Sequence, residues 1–136
     1  MAHGRLRVLP VYPGSMDPQA KRAAERLGLD AEERAAAELR ARGWTVLARR
    51  VRTGLGELDL IAEREGLLAF VEVKARASLA EAAGSVSPRQ QGRLMAAAEA
   101  WLAENPGHGA AGMRFDVILV APGGMRRVAD AFRAWG

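Results

Sequence analysis

From Ala31 onward the apolar positions fall on a helical period. Ala35, Ala36 and Leu39 form one inward stripe, which predicts a helix over Ala31 to Arg42. Asp30 stands before it as an N-cap, Glu33 at the third helical position completes a capping box, and Gly43 ends it. The pattern then changes to strands: Trp44 to Val51, Glu57 to Glu63 and Leu67 to Ala75, joined by turns at Thr53-Gly54-Leu55-Gly56 and Glu65-Gly66. The third is apolar for most of its length, as expected of a central strand covered on both faces, and the short connections predict antiparallel neighbours. A looser stretch, Arg76 to Val86, leads to a second helix with Ser87 as N-cap, Pro88 at its first position and Gln90 completing a Ser-x-x-Gln box. Its buried stripe is Leu94, Ala97, Ala98, Trp101 and Leu102, and Asn105-Pro106-Gly107 stops it. Met113 to Val120 and Arg126 to Ala129 read as two further strands around the turn Pro122-Gly123-Gly124. The order α-β-β-β-α-β-β predicts an α/β domain with a mixed sheet.

Residues 1–20 show no period and carry Pro10, Pro13, Pro18 and Gly14, so they read as a flexible extension before a single domain over residues 21–136. Met16, just before the helical pattern, is an alternative start of translation.

Composition adds three constraints. The absence of cysteine excludes disulfides and thiolate metal sites and suits a reducing cytoplasm. No apolar run approaches the ~18 residues of a membrane span. The net charge is +4, and of the 20 basic residues only Lys21 and Lys74 are Lys, the other 18 being Arg. Arg grips phosphate through a bidentate fork, so an Arg-rich surface suits nucleic acid. Genome base composition is an equal explanation of the bias, but either way a Lys kept among so many Arg asks for a reason.

The candidate chemistry lies in Gly56-Glu57-Leu58-Asp59-Leu60-Ile61 and Phe70-Val71-Glu72-Val73-Lys74. Glu72 and Lys74 are two apart on a strand and project from one face of it. Asp59, on the preceding strand, can come to lie beside Glu72. Adjacent carboxylates repel unless something compensates them. A hard divalent cation does so: Mg²⁺ takes oxygen ligands, typically one or two carboxylates plus a substrate phosphate. Lys74 would then orient the attacking water and stabilise charge at the phosphate. Glu32 shares the inward stripe of the first helix, where a carboxylate needs a partner or a metal. The structural alternative is a buried salt bridge of Lys74 with Asp59 or Glu72; three charges plus an inward Glu32 weigh against it.

Asp59 followed by Glu72-Val73-Lys74 resembles the D…E-x-K signature of the PD-(D/E)XK nuclease superfamily. The longer run GELDLIAE, LLAFVEVKAR, SVSPRQQGRL, MRFDVILV and VADAF resembles the YraN-like bacterial family, related to Holliday-junction resolvases, over roughly Gly28 to Phe132. The resemblance implies a restriction-endonuclease-like fold and Mg²⁺- or Mn²⁺-dependent hydrolysis of phosphodiesters in DNA, including branched DNA. It implies that Asp59, Glu72 and the Val73 carbonyl bind metal, that Lys74 is catalytic, and that Glu32 adds a carboxylate from the first helix. Resolvases commonly work as dimers, so it also makes a homodimer an expectation. The family usually has Lys where this chain has Gln90, which puts turnover in doubt, and Gly where it has Ala31.

Arg49, Arg50, Arg52, Arg76, Arg89 and Arg93 flank these segments and are the candidates for phosphate contacts, with Gln91 beside them. Asp116 and Arg114 read as core supports, Trp44 and Trp101 as core aromatics, and His3 and His108 carry no assignment. Two other functions remain open: a non-catalytic nucleic-acid-binding protein that keeps the fold, and an interaction module without nucleic acid.

Overall fold

A computed structural model describes residues 18–77 and 86–132, with side chains described from Asp30 onward. The elements are α1 (Pro18–Ala41), β1 (Thr45–Thr53), β2 (Gly56–Arg64), β3 (Leu67–Ala75), α2 (Pro88–Glu104), β4 (Gly112–Ala121) and β5 (Gly124–Phe132). Helix α1 begins well before the expected Ala31, so Asp30 is an exposed residue inside the helix and not its cap. Residues 19–27 are almost all strong helix formers, Pro18 suits a first helical position, and a single Gly28 costs only about 1 kcal/mol. That is too little to stop a helix between two good stretches. Glu33 accordingly makes no capping box; its carboxylate takes a 3.0 Å hydrogen bond from Arg49. Of the extension expected over residues 1–20, residues 1–17 lie outside the described residues and Pro18 to Ala20 form the first turn of α1.

The helix ends where Gly43 was expected to end it. Gly43 takes a left-handed φ of 89°, its N–H donates to Arg40 O, and Trp44 N–H reaches back to Leu39 O at 3.0 Å. This is a Schellman turn, which delivers Trp44 into the core before β1 starts.

The five strands form one sheet in the order β1-β2-β3-β4-β5. Only the β3–β4 pair is parallel, as it must be with α2 as the crossover between them; the other three pairs are antiparallel. Strand β3 is central, and its alternate side chains enter two cores. Ala69 and Val71 meet Ala31, Ala35, Ala36 and Leu39 of α1, together with Leu60, Ile118 and Val120. Leu68 and Phe70 meet Leu94, Ala97 and Ala98 of α2, together with Ile61, Phe115, Val117 and Leu119. The result is a three-layer α/β domain, an arrangement compatible with the restriction-endonuclease-like fold. Strand β5 runs from Gly124 to Phe132, longer than the expected Arg126 to Ala129, because Phe132 stacks on Phe115 at 4.8 Å and extends the pairing.

One irregularity prepares a site. The β2–β3 register runs from Arg64↔Leu67 to Leu60↔Val71 and stops, while β1–β2 pairing continues to the hairpin at Thr53↔Gly56 and β3–β4 pairing continues to Ala75↔Val120. The sheet therefore forks. The hairpin leans on α2, where a Cβ on Gly56 would lie 3.1 Å from Arg93 O, so any side chain there would push the helix backbone back by a few tenths of an ångström. Opposite the fork, β1 carries Arg50 at φ 52°, a left-handed conformation strained for a long side chain in a strand.

Candidate metal centre

Asp59 sits in the fork. Where the β2–β3 ladder ends, its carboxylate replaces a backbone carbonyl: Val73 N–H donates to Asp59 Oδ2 at 2.8 Å. In an extended strand the N–H and C=O of one residue point to the same edge. The Val73 carbonyl therefore faces the same opening as Asp59.

Glu72 and Lys74 flank Val73 on the α2 side. Lys74 Nζ lies 3.2 Å from Glu72 Oε2, and the side chains are only 17% and 12% exposed. Gln90 closes a triangle, its Nε2 donating to Glu72 Oε2 at 2.7 Å and its Oε1 accepting from Lys74 Nζ at 3.3 Å. Only half of the expected capping box forms. Ser87 Oγ accepts from Gln90 N, but the Gln90 amide reaches into the site. Sequence reasoning left Gln90 equally between the cap and the position where the family usually has Lys, and did not foresee its bonds to Glu72 and Lys74. The available signal was its place in the first turn of α2, directly after the strand that carries Glu72 and Lys74.

Among the described residues the carboxyls are more numerous than the cations that touch them: Lys74 meets Glu72, Arg50 lies by Glu32, and Asp59 has only a backbone N–H. Burial first, and Glu72 second, push the Asp59 carboxyl up to about 8, against the pull of the Val73 N–H; Glu32 adds to the rise. Glu32 approaches from α1. Burial pushes its carboxyl up too, opposed by Arg50 and Arg49 and reinforced by Glu57 and Glu72. Its Oε1 is buried without a hydrogen-bond partner among the described residues, the nearest cation being Arg50 Nε at 3.9 Å.

Among the described residues no three His, Cys, Asp or Glu side chains form a ready-made metal cage. A hard cation that keeps most of its waters does not need one. Asp59, Glu72 and the Val73 carbonyl are oxygen donors around one opening, Asp59 holds a proton that a cation would displace, and Glu32 Oε1 is an orphaned acceptor at its margin. These residues fit Mg²⁺ or Mn²⁺.

The expected phosphate contacts divide. Arg49 bonds Glu33 at 3.0 Å, Arg50 lies by Glu32 and Arg52 bonds Glu57 at 3.1 Å, so all three already have carboxylate partners. Arg76 donates to Ala75 O. Arg89 and Arg93 are exposed on the first turns of α2, beside Gln90. Gln91 does not enter the site, since its amide donates to Val86 O at 2.9 Å. Asp116 and Arg114 lie outside it as well, Asp116 being buried between Arg114 and Arg127. His3 lies outside the described residues. His108 pairs with Glu63 away from the fork.

Comparison with known proteins places this geometry among relatives. The family model described as "Uncharacterised protein family UPF0102" matches residues 31–120, more than half of the chain. A UPF0102 protein of Rhodopseudomonas palustris (strain HaA2) is 58% identical over 100 residues, 74% of this chain and 78% of that protein. Another, from Bradyrhizobium sp. (strain ORS 278), is 59% identical over 105 residues, 77% of this chain and 74% of its own length. A third, from Granulibacter bethesdensis, is 55% identical over 111 residues, 81% of this chain and 70% of its own length. No helix among the described residues is long and apolar enough to cross a membrane.

Proposed function

We propose that this chain, which belongs to the protein family UPF0102, is a divalent-metal-dependent nuclease that hydrolyses phosphodiester bonds in DNA. One observation carries the reading. At the fork, the Asp59 carboxyl is pushed up to about 8 beside Glu72, with the ammonium of Lys74 3.2 Å from Glu72. A domain built only for stability has no reason to hold two carboxyls and a lysine at an opening in its sheet. Strongly perturbed groups in such a place mark chemistry.

Asp59, Glu72 and the Val73 carbonyl would hold Mg²⁺ or Mn²⁺, which when bound supplies Lewis-acid polarisation of the scissile phosphate. The rest falls to the chain. Lys74, compact and held by Glu72 and Gln90, places a positive charge where the phosphate becomes more negative during attack by water. Glu32 offers a carboxylate oxygen without a bonded donor, suited to orient that water. Arg89 and Arg93, exposed on the first turns of α2, would take neighbouring phosphates of the backbone. Resemblance to resolvases extends the substrate to branched DNA.

A second reading has its own support. The triangle Glu72–Lys74–Gln90 is internally satisfied, which suits a protein that keeps the fold to bind DNA without cutting it. Lys74 separates the two. Single-turnover assays of linear, flapped and four-way DNA with Mn²⁺ should show cleavage by wild type and a loss of about 10²-fold or more in Lys74→Ala and Lys74→Arg, with DNA binding kept in both. Binding of all three substrates without cleavage by wild type would establish the binding protein instead. Cleavage by Lys74→Ala at the wild-type rate would return Lys74 to a structural role.

A further inference from the structure

A second charged feature lies at the other end of β2. Arg64 is five residues from Asp59 along that strand, a span of roughly 16 Å at ~3.3 Å per residue. Its guanidinium stands 5.0 Å from the centroid of the buried Trp44 ring, with Arg114 at 5.3 Å and Arg127 at 5.8 Å. Arg64 also donates to the backbone carbonyl of Arg42 at 2.9 Å, and the Arg42 side chain lies near enough to Arg127 to add to the positive charge around it. Beside it opens a cleft of about 290 Å³ lined by Glu38, Leu39, Arg42, Ile118, Met125 and Arg127, close to the ~300 Å³ at which small-ligand clefts begin.

Among the described residues, Glu38 and Asp116 pair with three of these four cations. Glu38 pairs with Arg42. Asp116, 1% exposed, lies 3.0 Å from Arg114 Nε and 3.7 Å from Arg127 Nη1, and also accepts from Asp130 N. The donors outnumber the acceptors. Arg114 Nε is buried without an aligned hydrogen bond, and the Trp44 indole N–H finds no acceptor among the described residues. Burial first, then Arg114, Arg42 and Arg64, hold Arg127 below its ordinary value against the pull of Asp116. A structural stack on Trp44 accounts for Arg114 and Asp116. It does not account for Arg42 and Arg127 in the wall of a cleft with Arg64 near enough that it and Arg42 both raise the electrostatic cost of Arg127. An oxyanion removes that cost and takes up the spare donors.

We infer that this cleft is an anion site that takes a phosphate group, separate from the metal centre and independent of whether that centre cuts DNA. The phosphate has two possible sources, a nucleic-acid backbone, since ~16 Å is about five base-pair rises and lies within one bound duplex, and a free phosphorylated compound.

Thermal unfolding without metal tests the site. Inorganic pyrophosphate should raise the melting temperature of wild type by several degrees over sodium chloride of equal ionic strength, because a ligand that binds only the native state stabilises it. Asp59→Asn should keep that rise. Arg64→Gln, at an exposed position, and Arg127→Gln should lose it. No rise in wild type over chloride, or an equal rise in Arg64→Gln, overturns the site, and Arg64→Gln decides if Arg127→Gln fails to fold. Duplex binding in EDTA then identifies the source. Roughly tenfold weaker binding by Arg64→Gln, with a log–log salt slope lower by about 1, marks backbone phosphate. Unchanged duplex affinity with the pyrophosphate effect lost marks a free phosphorylated compound.

Discussion

Asp59 concentrates the physics of the site in one residue. A carboxyl whose folded-state value is raised binds its proton more tightly in the native chain than in the unfolded one. Between the ordinary 3.8 and about 8 the native state therefore carries the extra proton, and stability falls as pH rises through that window. In metal-free protein, denaturant unfolding at several pH values should show this decline. Asp59→Asn keeps an acceptor for Val73 N–H and cannot ionise, so it should flatten the decline and be more stable than wild type at pH 8 by about 2 kcal/mol. The same variant should bind Mn²⁺ far more weakly in a calorimetric titration, as should Glu72→Gln. Equal pH slopes for wild type and Asp59→Asn would mean that the carboxyl is not held against its charge. Wild-type metal affinity in both variants would move the metal elsewhere.

At the scale of elements, what the sequence made legible depended on how local the determining forces are. Strand β3 came out at its full bounds, Leu67 to Ala75, because a run covered on both faces has an unbroken apolar signal and sharp turns at its ends. The start of α2 was equally clear, since Ser87-Pro88 is a local cap. The start of α1 was not, because Asp30 looks like a cap in any window that ignores the helix formers before it. The fork between β2 and β3, which places Asp59, comes from the hairpin leaning on α2, and no pattern within β2 announces it. The Gln90 contacts to Glu72 and Lys74 are likewise tertiary.

One such long-range tie is testable. Glu63 on β2 pins the loop between α2 and β4, accepting from Gly109 N–H at 2.8 Å and lying 2.9 Å from His108 Nδ1. The Gly109 N–H first, and His108 second, hold the Glu63 carboxyl below its ordinary value. Its contribution is therefore present above the ordinary carboxylate range and is lost as pH falls through it. Glu63→Ala should lower the melting temperature by a few degrees at neutral pH, the size expected for about 1 kcal/mol in a domain of this length. At pH 3 the difference from wild type should shrink. A constant difference across pH would show that packing, and not the charge-assisted bond, holds the loop.

Over the whole molecule the decisive quantity is where the charge of +4 sits. Arg49, Arg50 and Arg52 have Glu33, Glu32 and Glu57 beside them, so the β1–β2 side of the fork offers little net positive field to DNA. Glu32 and Glu72 meanwhile put negative charge, partly offset by Lys74, where a scissile phosphate would lie, and Asp59 adds to it as pH rises through about 8 and its proton leaves. Without metal the two surfaces repel at the point of closest approach. The predicted consequence is metal-dependent binding, separable from cleavage. With Ca²⁺, a hard cation that replaces Mg²⁺ in oxygen sites, affinity for a short duplex should exceed that in EDTA by about tenfold, because cancelling the carboxylate field favours the phosphate by an energy of the order of 1 kcal/mol. Asp59→Asn combined with Glu72→Gln removes that field covalently, so in EDTA it should bind DNA about as tightly as wild type does in Ca²⁺, and should no longer respond to Ca²⁺. Fluorescence anisotropy at fixed ionic strength measures all four conditions. If wild type binds equally well in EDTA and Ca²⁺, the fork does not face the phosphate backbone, and DNA would have to engage another surface of the domain.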